Sequence, residues 1–164
     1  MQAHTRIHGL FAILAVLAIT GCAAMRLTPE QKARQKQIVE ENIAGQHYTI
    51  DINQMIPMRG PARMVNDFSL SVEGNRLISY LPYFGRAYNV PYGGGKGLNF
   101  TAPIASYKEY MRKNGLRHIE IGLSNEEDTY LYTIEVFDNG SSSVEVRARQ
   151  RERISYSGYL EFGQ

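Results

Sequence analysis

Cysteine occurs once in the chain, at Cys22, and tryptophan not at all. A lone cysteine excludes an internal disulfide, so packing must hold the fold together without covalent staples. Histidine is scarce too: His4, His8, His47 and His118 are the only four. The clustered cysteine and histidine of zinc sites are therefore nearly absent, and no metal site is expected. The longest apolar run, Leu10 to Ile19, has ten residues, too few to cross a hydrocarbon core about 30 Å thick. Neither sign of charge dominates. The 18 basic and 16 acidic side chains argue neither for nor against an acidic partner. No nucleophile elbow, paired-histidine motif or cysteine site appears, so no catalytic residue can be assigned from a motif.

What is present begins at the amino terminus. Arg6 precedes the apolar run, and Ile19-Thr20-Gly21-Cys22 closes it. The arrangement resembles a bacterial lipoprotein signal. That resemblance implies removal of residues 1–21 and acylation of Cys22, with the membrane reached through the lipid; several acyl chains anchor stably where one does not. An ordinary secretory signal cut near Ala23 or Ala24 is the alternative. Ala23 follows the cysteine where an aspartate would mark inner-membrane retention, and no acidic cluster comes after it. By analogy, the expected place is the cell envelope, as an outer-membrane lipoprotein facing the periplasm. Cleavage would leave 143 residues with a formal charge of +1, enough for one domain with a real core.

Residues 22–45 read as a lipidated tether running into a spacer helix. Thr28-Pro29-Glu30-Gln31 has the residues of a capping box, with proline at the first helical position. Gly45 stands where a helix stop belongs. Ile38, Val39 and Ile43 give only a weak apolar stripe. That predicts a helix resting lightly on the domain or standing off the membrane.

From His47 the apolar period changes to two. Phe68, Leu70 and Val72 alternate with polar residues, as do Ile119, Ile121 and Leu123; so do Tyr130, Tyr132, Ile134 and Val136, and Ile154, Tyr156, Gly158 and Leu160. Gly74-Asn75, Asn114-Gly115 and Asn139-Gly140 supply turn signals between them. The fold expected over 46–164 is a single mostly-β domain, an antiparallel meander closed as a barrel or folded as a sandwich.

The segments Arg59-Gly60-Pro61-Ala62-Arg63, Ser79-Tyr80-Leu81-Pro82-Tyr83-Phe84-Gly85-Arg86-Ala87-Tyr88, Asn139-Gly140-Ser141 and Ile154-Ser155-Tyr156-Ser157-Gly158 resemble the domain-of-unknown-function family 4251, lipoproteins typical of Bacteroidetes. The resemblance runs over roughly 46–160. It implies a single β-rich domain in the envelope and transfers no catalytic residue.

Three sets of residues are candidates for function. Tyr83, Phe84, Arg86, Tyr88, Tyr92 and Lys96 lie in a stretch rich in tyrosine, arginine and glycine. Flat amphipathic rings beside guanidinium suit ligand binding, including stacking on a sugar. The bland alternative is aromatics filling one end of a barrel. Tyr92-Gly93-Gly94-Gly95-Lys96-Gly97 is not a nucleotide loop, because Gly97 stands where serine or threonine is needed. Arg147, Arg149, Arg151 and Arg153 alternate, and on one continuous strand they would form a basic strip about 20 Å long. A solvated sheet edge is the alternative for that strip, and Gln150 and Glu152 on the opposite face point to a break in the strand near there. Arg59 and Arg63 flank a Gly-Pro turn as an anion notch or as ordinary loop arginines. His47 and His118 would ligate a metal only if they met near a carboxylate such as Asp51 or Glu120. A glycoside-hydrolase-type pair depends on a separation of about 5–9.5 Å that spacing in sequence does not give; Asp51, Asp67 and Glu120 are candidates for it.

The leading expectation is a non-enzymatic binding or accessory module with a glycan or an envelope protein as partner. Neither a cofactor nor a nucleic-acid partner is expected. A small envelope hydrolase acting on glycan or peptide through carboxylates is the rival.

Overall fold

The structure is a computed structural model, and it describes residues 27–88 and 96–162. The chain divides into two compact units, 1–31 and 32–164. In the first, the capping box forms reciprocally: the Thr28 amide donates to Gln31 Oε1 at 2.8 Å, and the Gln31 amide to Thr28 Oγ1 at 3.2 Å. These two bonds satisfy amides that open the helix α1, Pro29–Ala44.

The second unit contains the rest of α1 and eight strands: β1 (His47–Pro57), β2 (Arg63–Glu73), β3 (Arg76–Leu81), β4 (Leu98–Met111), β5 (Arg117–Ser124), β6 (Thr129–Val136), β7 (Ser141–Ala148) and β8 (Arg151–Leu160). Each pairs antiparallel with its neighbour in sequence, and β8 pairs with β1, so the sheet closes as a barrel. Of the two architectures open to the sequence, the barrel is the one formed. Closure leaves no sheet edge for the arginines of 147–153 to guard.

The period-two pattern positions the core. Leu70, Val72, Leu77, Ile119, Ile121, Tyr132, Ile134, Val144, Tyr156 and Leu160 all point inward and are buried. Two of the buried phenols find partners around the β3–β4 connection. Tyr132 donates to Ser79 Oγ at 3.0 Å, which in turn donates to the Leu98 carbonyl at 2.7 Å; Tyr156 donates to the Pro82 carbonyl at 2.7 Å. Burial raises the pKa of Tyr48, Tyr132 and Tyr156 well above the ordinary phenol value.

Both pairings of β1 are bulged near Asn53. Against β2 the register jumps from Ile52↔Phe68 to Gln54↔Met64, so three β2 residues face one β1 residue and the bulge lies in β2, where Asp67 takes a left-handed φ of 62°. Against β8 it steps from Ile52↔Gly158 to Gln54↔Ser157, which leaves Asn53 as the extra residue on β1.

The two barrel ends differ. Helix α1 closes one of them: Val39 and Ile43 are fully buried in the core cluster, Glu40 pairs with Arg117 at 2.6 Å, and Lys36 with Asp138 at 3.4 Å. The lightly attached spacer predicted from the weak apolar stripe is therefore not what forms. Two apolar residues one turn apart are enough when both drop into a barrel mouth. The helix stop also differs in detail. Gly45 follows the last helical residue, but the left-handed position is Gln46, at φ 51°. The opposite barrel end carries the β1–β2 loop (58–62), the β5–β6 loop (125–128), the β7–β8 turn (149–150) and the described parts of the β3–β4 connection.

Candidate functional site

At the loop-bearing end, the β3–β4 connection folds back onto the start of β8. The Glu152 amide donates to the Arg86 carbonyl at 2.9 Å, and the Tyr88 amide to the Gln150 carbonyl at 2.7 Å. The Tyr83 hydroxyl fixes this return, within donating distance of both the Arg86 carbonyl (2.9 Å) and the Glu152 carbonyl (3.0 Å). Gly85 permits it, since a Cβ there would come 2.7 Å from the Tyr83 hydroxyl. Partial burial raises the pKa of Tyr83, so the phenol stays protonated and available as a donor.

The surface beneath is tied down from several directions. Asn125 Oδ1 accepts the amides of Glu127 and Asp128, both at 2.9 Å. The Asp128 carboxylate accepts those of Thr129 (2.8 Å), Arg149 (3.0 Å) and Gln150 (3.0 Å). Glu127 pairs with Arg151 at 2.9 Å and also accepts the Lys96 amide at 2.9 Å. The Arg151 guanidinium stands 5.6 Å from the Tyr83 ring centre.

A cleft of about 430 Å3 opens here, lined by Arg59, Tyr83, Phe84, Gly85, Arg86 and Glu152. Glu152 is only 7% exposed yet its carboxylate faces the cleft. Its Oε1 lies 3.7 Å from Arg59 Nε, beyond hydrogen-bond length, and its Oε2 accepts the Arg86 amide at 3.3 Å. Phe84 is 53% exposed, with the Arg63 guanidinium stacked 4.1 Å from its ring centre. Arg59 beside the buried carboxylate, Arg63 on the accessible ring and Arg86 in the cleft lining give a local excess of positive charge.

The candidate residues separate into different roles. Phe84 and Arg86 are exposed residues that line the cleft. Tyr83 lines it too, but its hydroxyl holds the backbone together. Tyr88 is exposed beside it. Lys96 takes part through its amide, and Tyr92 and Cys22 lie outside the described residues. Arg59 and Arg63, read as a possible notch, meet Glu152 and Phe84. Glu152 itself was not a candidate. In sequence it reads as the polar partner in an alternating strand, and only the return of residues 86–88 buries it.

The basic strip is corrected. Arg147 lies in β7, Arg149 in the turn, and Arg151 and Arg153 in β8, so no single strand carries all four. The Asp128 carboxylate stabilises the turn at Arg149-Gln150, and Arg151 turns in to meet Glu127. Arg147 and Arg153 stay outside and share Glu145, at 2.6 and 3.4 Å.

His47 and His118 serve separate local roles. His47 Nδ1 meets the Gly45 carbonyl at 2.8 Å. His118, buried in a groove on the outer face of β5–β8, lies 3.2 Å from Glu135 and 3.4 Å from Glu120, with Tyr110 stacked 4.6 Å away. Among the described residues, no group of three or more His, Cys, Asp or Glu is placed to hold a metal ion.

The family model described as Domain of unknown function (DUF4251) matches residues 30–160. No curated protein matches the chain. Among solved structures, a DUF4251 family protein from Bacteroides eggerthii DSM 20697 has the same fold, with a TM-score of 0.60 at 16% identity over 79% of this chain and 91% of that one.

Proposed function

The chain belongs to the DUF4251 family, and on that premise we propose that it is a lipid-anchored, non-enzymatic binding module of the cell envelope. Its recognition surface is the cleft between the β1–β2 loop and residues 83–86. One observation carries the reading: a buried carboxylate, an accessible aromatic ring and exposed guanidinium groups converge on a preorganised concave surface. The barrel axis offers a ligand less, since Tyr130, Tyr132, Tyr156 and the surrounding aliphatic side chains are buried there against one another. Acylation of Cys22 would hold the module in the outer membrane and raise its effective concentration at the periplasmic surface. Helix α1, into which the tether runs, closes the barrel end opposite the cleft.

The rival hydrolase reading has one observation in its favour. The outer groove of about 420 Å3 brings Glu120, Glu135 and Glu145 near His118. Each of these carboxylates faces a cation or the imidazole: Glu135 is held by Arg112 at 3.0 Å, Glu145 by Arg147 and Arg153, and Glu120 lies against His118. That engagement favours a structural network over an acid–base pair.

The test is cross-linking in intact cells with identification of captured material, comparing wild type with a Phe84→Ala/Arg86→Ala double variant. A partner captured by wild type and lost in the variant supports the module. Capture unaffected by the variant rejects the cleft. Metabolic labelling with a palmitate analogue, abolished by Cys22→Ala, tests the anchor separately.

A further inference from the structure

We infer that the cleft takes an acidic pyranose, a sugar ring carrying a carboxylate beside free hydroxyls, as in a polyuronate chain. The inference rests on the reading of this cleft as the binding site and names the class of ligand.

Arg59 and Arg86 are exposed residues that line the cleft, with Arg63 stacked on Phe84. Guanidinium is a planar fork matched to carboxylate. Among the described residues that line the cleft, Glu152 alone carries the opposing charge, so an anionic group entering it meets a net positive field.

Glu152 adds a second requirement. A buried carboxylate has lone pairs for about four donors. Among the described residues it receives one amide hydrogen bond at 3.3 Å and one ion-pair contact at 3.7 Å. That leaves lone pairs open at the cleft, and hydroxyl donors from a ligand would fill them. A phosphate or carboxylate alone would bring acceptors to an acceptor.

Phe84 supplies the third element. Arg63 covers one part of the ring while about half the residue stays exposed, which leaves a flat apolar surface for the C–H face of a sugar. A pyranose meets all three demands at once: carboxylate toward Arg59 and Arg86, ring face on Phe84, hydroxyls toward Glu152. An acidic peptide meets the first, but it brings a carbonyl acceptor with every amide donor. The volume of about 430 Å3 lies within the usual range for small-ligand sites.

The experiment is calorimetric titration of the full lipidated chain in detergent with oligogalacturonate, its methyl-esterified form, and oligoglutamate of matching length. Oligogalacturonate is expected to bind, about tenfold or more tighter than its ester, in line with loss of a charge-assisted pair. Arg86→Gln, Phe84→Ala and Glu152→Gln are each expected to weaken it about tenfold, while Arg147→Gln leaves it unchanged. Added salt should weaken the wild-type interaction. Equal binding of ester and acid overturns the inference, as does equal or tighter binding of oligoglutamate. Absence of oligogalacturonate binding, with in-cell capture still dependent on Phe84 and Arg86, overturns the sugar class and leaves the cleft reading standing. Loss of both overturns the cleft reading itself.

Discussion

The hydroxyl of Tyr83 lies 3.0 Å from the carbonyl oxygen of Glu152, so a residue of the β3–β4 connection is fastened to the strand whose side chain forms the cleft floor. The same hydroxyl reaches the Arg86 carbonyl at 2.9 Å, and Arg86 in turn accepts the Glu152 amide at 2.9 Å. Phe84, between Tyr83 and Arg86, is exposed at the cleft.

Tyr83→Phe keeps the ring and removes that fastening. The expected cost is about 1 kcal/mol, the usual net worth of one hydrogen bond. Faster amide exchange is expected at Tyr88 and Glu152, whose amides bond across this return. Phe84→Ala should leave those rates alone, because its ring contacts Arg63 outside the return. Unchanged exchange in Tyr83→Phe would show that other contacts hold the connection.

Alkaline pH should unfold the barrel in a defined direction. Tyr48, Tyr132 and Tyr156 have folded-state pKa values raised by burial, and the unfolded chain ionises its tyrosines near the ordinary value of about 10. Protons are therefore held more tightly in the folded state. The stability this represents is fully present below about pH 10 and is lost as pH rises through the folded values. Absorbance titration of phenolate, followed alongside circular dichroism, should show these phenols ionising together with loss of structure. Ionisation of all eleven tyrosines near pH 10 with the fold intact would contradict it.

The barrel strands were legible because each buries one face, so period two survives in the sequence: Ile119, Ile121 and Leu123 on β5, Tyr130 and Tyr132 on β6. The capping box at Thr28 and Gln31 was legible because it is a local contact. Closure was not, since the β1–β8 pairing joins residues about a hundred positions apart, such as Ile50 and Leu160. Nor was the packing of α1, where two side chains do the work expected of a stripe. Arg147 to Arg153 left a single strand and a break near Gln150 both open, because alternation looks the same within one strand and across a tight turn. Phe84 and Arg86 stood out by composition, whereas Glu152 became a site residue only through tertiary burial.

Gln46 holds a left-handed conformation that costs a non-glycine residue roughly 1 kcal/mol or more. It ends α1, donating its amide to the Ile43 carbonyl at 3.0 Å. Gln46→Gly keeps that bond and relieves the strain, so a gain of about 0.5–1 kcal/mol is expected despite glycine's larger unfolded-state entropy. Denaturant titration gives the value. A loss of stability would mean that the Gln46 side chain contributes packing that outweighs the strain.

Gly158 lies on the inward, buried face of β8, paired with Ile52 on β1 and Ser142 on β7. The β1 bulge begins beside it and brings the main chain so close that a Cβ at 158 would overlap the Asp51 carbonyl oxygen and come within 3.1 Å of Ile52 Cα. Backbone cannot rotate away as a side chain can, so relief requires moving β1, which also pairs with β2 and closes the barrel against β8. Gly158→Ala is therefore expected to cost about 3 kcal/mol or more, at the upper end of overpacking effects. Gly45→Ala is the comparison. There the nearest atom to a new Cβ is the Glu41 carbonyl oxygen at 3.2 Å, at an exposed helix end with ordinary φ. That variant should lie within about 1 kcal/mol of wild type. Melting curves of the two variants decide the matter: a large loss confined to Gly158→Ala supports closure through this contact, and equal shifts would mean the barrel does not close so tightly at β1–β8.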